Sequence, residues 1–190
     1  KRIEHFNQLA EKCPDRCKLL TVDSPPEESY IGFARLIGKY YHLNLSQIDS
    51  VLNSFSPPKG RFDVIEKNGL IIIDSSYNSN PLSLQVILTK GQHLKKIRHP
   101  KRYIGIIGDM LELGDEAEKY HLQFKPVLRN NFDILISVGQ LSRVFEADRH
   151  FDTVDDAVGF VLKLIEPGDM ILIKGSHSIH LEKIVKKIIQ

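Results

Sequence analysis

Three short aliphatic runs in this 190-residue chain each end in a residue that could do chemistry. Leu70 to Ile73 stops at Asp74, Tyr103 to Ile107 stops at Gly108-Asp109, and Met170 to Ile173 stops at Lys174. A fourth run, Ile134 to Val138, ends in Gly139. Two carboxylates, an amine and several small residues suit a polar ligand better than a packing surface, if the fold gathers them. Each alone also fits a duller role, an Asp that caps the next helix or a lysine in solvent. The richest stretch is Gly69-Leu-Ile-Ile-Ile-Asp-Ser-Ser-Tyr-Asn-Ser-Asn-Pro81. There Asn80 can cap a helix and Pro81 is tolerated in its first turn. The free N–H groups of that turn suit a phosphate or carboxylate. Lys174-Gly-Ser-His-Ser178 could likewise hold an anion.

The elements that must position these residues can be read from periodicity. Unbroken aliphatic runs bounded by polar turns are strands buried on both faces. Between them lie helical patterns from Pro81 to about Ile97, from about Asp115 carrying Ala117, Tyr120, Leu122 and Phe124, and from a Thr153 cap to Ile165. A short helix over Gln140 to Ala147 and a last one ending near Ile189 complete the series, and Pro126 should kink or split the helix that contains it. Strand–helix alternation of this kind makes an α/β fold, a mainly parallel sheet with helices on both faces. Ligands of such sheets gather at the carboxyl ends of the strands. Arg61 to Ile65 and the run from Leu70 flank Lys67-Asn68-Gly69, a hairpin signal, so the first strand should form an antiparallel edge.

Upstream the pattern is helical. Ile3, Phe6, Leu9 and Ala10 can line a helix, and a strand is expected near Lys18 to Val22. A helix starting at Glu27-Glu28 would bury Tyr30, Phe33, Ala34, Ile37 and Tyr41. Another, capped by Ser46, would turn Ile48, Val51, Leu52 and Phe55 inward. Ser56-Pro-Pro-Lys-Gly60 ends any helix and places the domain break between residues 56 and 57.

Composition narrows the class. A net charge of +2 makes no electrostatic case for nucleic acid. No apolar run approaches the roughly 20 residues of a membrane span, and the N-terminus lacks a signal-peptide core, which points to the cytoplasm. Cys13 and Cys17 are too few ligands for a metal site and read as reduced thiols. The glycines of Gly108-Asp-Met-Leu-Glu-Leu-Gly114 are too far apart for a dinucleotide loop, and no Gly-x-x-x-x-Gly-Lys-Ser/Thr phosphate loop occurs. His121 falls on a helix stripe that suits a buried, satisfied histidine, and no Ser/His/Asp or Cys/His arrangement reads as a nucleophile.

Four strings then stop being generic. Pro58-Lys-Gly-Arg-Phe62, Asp74-Ser-Ser-Tyr-Asn-Ser-Asn-Pro81, Gly108-Asp-Met-Leu-Glu-Leu-Gly114 with His121, and Lys174-Gly-Ser-His-Ser178 resemble, in order and spacing, the C-terminal domain of the Mur ligase family. The likeness is strongest to its D-Ala-D-Ala-adding branch. It implies a Rossmann-like domain over residues 57–190, with residues 1–56 as the mostly helical tail of a central ATPase domain. The implied activity is a cytoplasmic, ATP-dependent amide ligase of peptidoglycan synthesis, joining D-Ala-D-Ala to a UDP-MurNAc-tripeptide through an acyl phosphate. ATP with Mg would be held mostly by the remaining ligase domains, and this fragment alone would be inactive. By the same resemblance Arg61, Asp74 and Asn78 would contact nucleotide, and Tyr77, Asn80, Asp109, Glu112, Lys174, Ser176 and His177 substrate. Ser75 stands where the family has a second acid, and His177 where it has an arginine. The alternatives are a non-catalytic module of the same fold, or a related ligase with another amino substrate.

Overall fold

The computed structural model describes residues 29–55 and 59–190. The helix expected over Ile3 to Ala10, the Cys13–Cys17 turn, the strand near residues 18–22 and the Ser56-Pro57-Pro58 break lie outside the described residues. The chain divides into two compact units, residues 1–56 and 57–190.

In the first unit α1 (Ser29–Tyr40) and α2 (Leu45–Ser54) form a helical hairpin. They approach closely where α1 carries Gly38, since a Cβ there would lie 2.1 Å from the Ile48 side chain. Two expectations are corrected here. The cap of α2 is Asn44, whose side chain accepts from the Ser46 N–H, so Ser46 is inside the helix. Val51 and Phe55 are exposed rather than inward, as are Phe33 and Ile37 of α1.

The second unit is a six-stranded sheet with helices on both faces. Its elements are β1 (Asp63–Lys67), β2 (Leu70–Ser75), α3 (Pro81–Arg98), β3 (Arg102–Gly108), α4 (Ala117–Asn131), β4 (Ile134–Val138), β5 (Arg149–Phe151), α5 (Val154–Leu164), β6 (Asp169–Lys174) and α6 (Glu182–Ile189). The strand order is β1-β2-β6-β3-β4-β5. Only β1 runs antiparallel, at the edge, as the hairpin signal requires. Asn68 and Gly69 both have positive φ, the conformation of a two-residue hairpin turn that glycine adopts at no cost.

Side-chain alternation divides the core in two. Ile72, Ile104, Ile106, Ile171 and Ile173 face α5 and α6, with Ala157, Val161, Ile184 and Val185 packed on them. Ile73, Tyr103, Ile107, Met170 and Leu172 face α3 and α4, against Leu84, Ile87, Leu88 and Leu128. The unbroken aliphatic runs are explained by this double cover.

Three details differ from expectation. β5 was not expected, because three residues are too few to show a period. The short helix after β4 is a 3-10 turn, Leu141–Phe145. α4 is not split at Pro126, and the residues it buries are His121 and Leu128, whereas Leu122 is half exposed.

Close packing of helix on sheet sets a firm constraint at Gly105 of β3, where a Cβ would lie 2.6 Å from Phe132 ring carbons. Gly105→Ala should therefore cost about 1–3 kcal/mol through overpacking. Urea unfolding should show a lower midpoint at unchanged slope, and Phe132→Leu should partly restore it in the double variant.

Candidate functional site

Register brings the strand ends together. Ser75 lies beside Lys174, Lys174 beside Ile107, and Ile107 beside Ser137. Asp74, Lys174 and Asp109 therefore share one sheet edge. There the chain leaves β2 for α3 on one face and β6 for α6 on the other, the divergence at which open α/β sheets leave a crevice.

The loop after β2 is fastened at almost every residue. Asp74 accepts from the Ser76 N–H at 3.0 Å and the Ser76 hydroxyl at 2.7 Å. Tyr77 donates its N–H to the Gly60 carbonyl at 3.1 Å, tying the 59–62 segment to the loop. Asn78 accepts from the Ser79 N–H. Asn80 forms a capping box with Ser83, each side chain accepting from the other's backbone N–H. Its side-chain oxygen serves the start of α3, as the capping signal suggested, since an orphan helix donor needs an acceptor.

Lys174 lies beneath that loop. It is 1% exposed, and its Nζ donates to the Asn78 carbonyl at 2.7 Å. Burial lowers its pKa to about 8. Among the described residues it has no carboxylate partner, in contrast to Arg102, whose guanidinium makes two hydrogen bonds to buried Asp169 at the opposite edge.

Asp109 is turned onto the protein. Its two carboxylate oxygens accept from the Leu141 and Ser142 N–H groups at 3.2 and 2.7 Å, and it is buried. It holds the turn after β4, where Gly139 has φ +114° and a Cβ would collide with the carboxylate at 2.5 Å. The β3 loop is held by two further contacts. Leu111 donates its N–H to the Ser176 hydroxyl at 2.8 Å, and Met110 donates to His121 Nε2 at 3.0 Å. Because Nε2 accepts, His121 Nδ1 carries the proton and donates to the Ala117 carbonyl at 2.7 Å. His121 is thus the satisfied core histidine that its helix stripe suggested.

At the mouth, Arg61 lies 4.3 Å over the Tyr77 ring, and the His177 ring is 5.8 Å from the Tyr77 ring. All three are exposed, as are Asn78 and Glu112, the latter with φ 62°. The structure thus brings Arg61, Tyr77, Asn78, Lys174, Ser176 and His177 into one region, with Asp74 beneath the same loop. Two features were missed from the sequence. Ser79 has a buried hydroxyl with no partner among the described residues, in the variable position of Tyr-Asn-x-Asn-Pro. Ser137, His150 and Asp152 form a hydrogen-bonded chain, with Ser137 Oγ to His150 Nδ1 at 2.8 Å and His150 Nε2 to Asp152 at 3.3 Å. Ser137 is wholly buried, so this chain fastens β5 to β4 and cannot attack a substrate.

A family model described as Mur ligase, glutamate ligase domain, matches residues 60–177. The UDP-N-acetylmuramoyl-tripeptide–D-alanyl-D-alanine ligase of Bacillus subtilis is 29% identical over 165 residues, covering 80% of this chain and 35% of the relative. The same-named ligase of Borreliella burgdorferi is 32% identical over 136 residues, 67% of this chain and 29% of that one. The chain spans about a third of the length of these curated relatives. Among solved structures, MurF from Acinetobacter baumannii superposes with a TM-score of 0.69 at 24% identity, covering 84% of this chain and 36% of that one. MurF ligase from Thermotoga maritima in complex with ADP gives 0.62 at 22% identity, covering 79% and 34%. At these identities the superpositions show the fold alone.

The buried ammonium has a testable consequence for stability. Its folded pKa is below its unfolded value, so the folded state binds fewer protons between about 8 and 10.5 and gains stability as pH rises through that window. Wild type should therefore gain on Lys174→Met, by on the order of 3 kcal/mol, between pH 7.5 and 10.5. Chemical denaturation of both proteins at the two pH values checks it; parallel pH dependences would refute the burial of the charge.

Proposed function

Since this chain belongs to the Mur ligase family, with the family's glutamate ligase domain over residues 60–177, we propose that it is the C-terminal portion of an ATP-dependent amide ligase that joins D-Ala-D-Ala to a UDP-MurNAc-tripeptide. The observation that carries the reading is the convergence, within that domain, of an exposed guanidinium, a ring, an amide and a buried ammonium at one sheet edge.

In this reading ATP supplies a phosphoryl group to the substrate carboxylate, and the dipeptide amine displaces phosphate from the acyl carbon to leave an amide. Arg61, outside the core and unpaired by any carboxylate among the described residues, meets the nucleotide's phosphate or ribose. The Asp74–Asn78 loop faces the ribose and base. Ser176, His177, Tyr77 and Glu112 line the amine side. In this reading Mg is held mostly by the rest of the ligase. Residues 1–56 belong, in this reading, to the end of the central ATPase domain. Docking of the sheet edge onto that domain would exclude water around the transferring group and add a cation to it. No helix of the described residues is long and apolar enough to cross a membrane, in keeping with small water-soluble substrates.

Phosphate release with ATP, tripeptide substrate and D-Ala-D-Ala tests the reading. The isolated chain should give no turnover, because it lacks a phosphate loop, and the full-length ligase should be active. Arg61→Ala in the full-length protein should lower kcat/KM for ATP about a hundredfold or more. Its melting temperature should stay close to wild type, since an exposed cation–π contact is worth no more than about 1 kcal/mol. Unchanged activity would remove Arg61 from the nucleotide site.

A further inference from the structure

The resemblance sends Lys174 to the amino substrate, but its side chain does not reach the surface. Nζ ends at the backbone carbonyl of Asn78, inside the sheet edge. Two residues on, Ser176 Oγ contacts the Ser79 carbonyl at 3.4 Å and accepts the Leu111 N–H at 2.8 Å. The end of β6 thus grips consecutive carbonyls of the β2 loop, and through Ser176 the β3 loop as well.

The geometry points to Lys174 as a positioning residue: its buried ammonium fixes the β2 loop at the Asn78 carbonyl, and so sets where Asn78 meets the nucleotide. This rests on the proposed nucleotide side of the site. A backbone carbonyl is a modest acceptor, and a lysine placed under it with no acid nearby pays a desolvation cost that a solvated lysine would not. The surrounding ionisable groups are Asp74 on β2, Tyr77 on the held loop, Asp109 after β3 and His177 beyond β6. None of them hydrogen-bonds to Nζ, and the lowered pKa has burial alone as its cause. Ser75 is the β2 register partner of Lys174 and has the same face parity, so its hydroxyl position is where an acid would pair with the ammonium. Serine there leaves Lys174 dependent on the carbonyl.

Two measurements test this independently. In the 190-residue chain, the 1H–15N resonances of Tyr77, Asn78, Ser79 and Asn80 should titrate between pH 6.5 and 9.5 with a midpoint near 8. That titration should vanish in Lys174→Met and move to higher pH in Ser75→Asp, where an opposite charge favours the ammonium. In the full-length ligase, Lys174→Met should raise the KM for ATP about tenfold, the usual effect of losing a hydrogen bond from a charged donor, with the KM for D-Ala-D-Ala near wild type. Loop resonances with no midpoint near 8, or a midpoint that persists in Lys174→Met, overturn the proposal. A rise in the D-Ala-D-Ala KM instead would make Lys174 a substrate contact and overturn it equally. If the wild-type ligase does not turn over, the proposed function fails, while the resonance titration still decides the role of Lys174.

Discussion

An ammonium group 1% exposed, bonded to a backbone carbonyl and, among the described residues, to no carboxylate, is costly to bury and ties two strand ends of the site together. It is held there because β6 is the central strand of the ligand edge, flanked by β2 on one side and β3 on the other. Parallel register leaves no slack: once Ile73 pairs with Leu172, Ser75 must pair with Lys174. The lysine is then covered by the β2 loop as it turns into α3. Most residues of that loop from Asp74 to Asn80 are placed by hydrogen bonds to neighbours rather than by packing alone.

Seen from that edge, the polar residues divide into two groups by what their side chains touch. Asp74, Asn80, Asp109, Ser176 and Lys174 are turned onto backbone groups and hold loops. Arg61, Tyr77 and His177 are exposed and their side chains make ring contacts, Arg61 and His177 with Tyr77 and His177 also with His180. The first group makes the second possible, because an exposed guanidinium and two rings can meet a ligand reproducibly only if the loops beneath them do not move.

The fold was largely legible from the residues, and the reasons are specific. Buried parallel strands read as aliphatic runs, Asn68-Gly69 specifies its hairpin by backbone conformation, and Thr153 and Asn80 cap helices by local chemistry. What was not legible depends on contacts distant in sequence. β5 exists because three residues find β4 and a Ser137–His150 bond, which no local pattern announces. The inward turn of Asp109 requires the Leu141 and Ser142 N–H groups more than 30 residues away. The direction of the Lys174 side chain requires the loop 96 residues before it. A residue type at a strand end thus indicates the edge where ligands collect, but not whether the side chain faces the ligand or the protein.

Ser75 illustrates why the departures from the family pattern need a physical reading. In the family's arrangement a second acid at this position would share the sheet face of Lys174 in direct register, and an ion pair would hold the ammonium charged. With serine, the same lysine loses that support and sits close to its titration point at mildly alkaline pH. The exchange leaves the carbonyl contact to Asn78 in place, so the loop is held by the lysine whether or not an acid stands beside it.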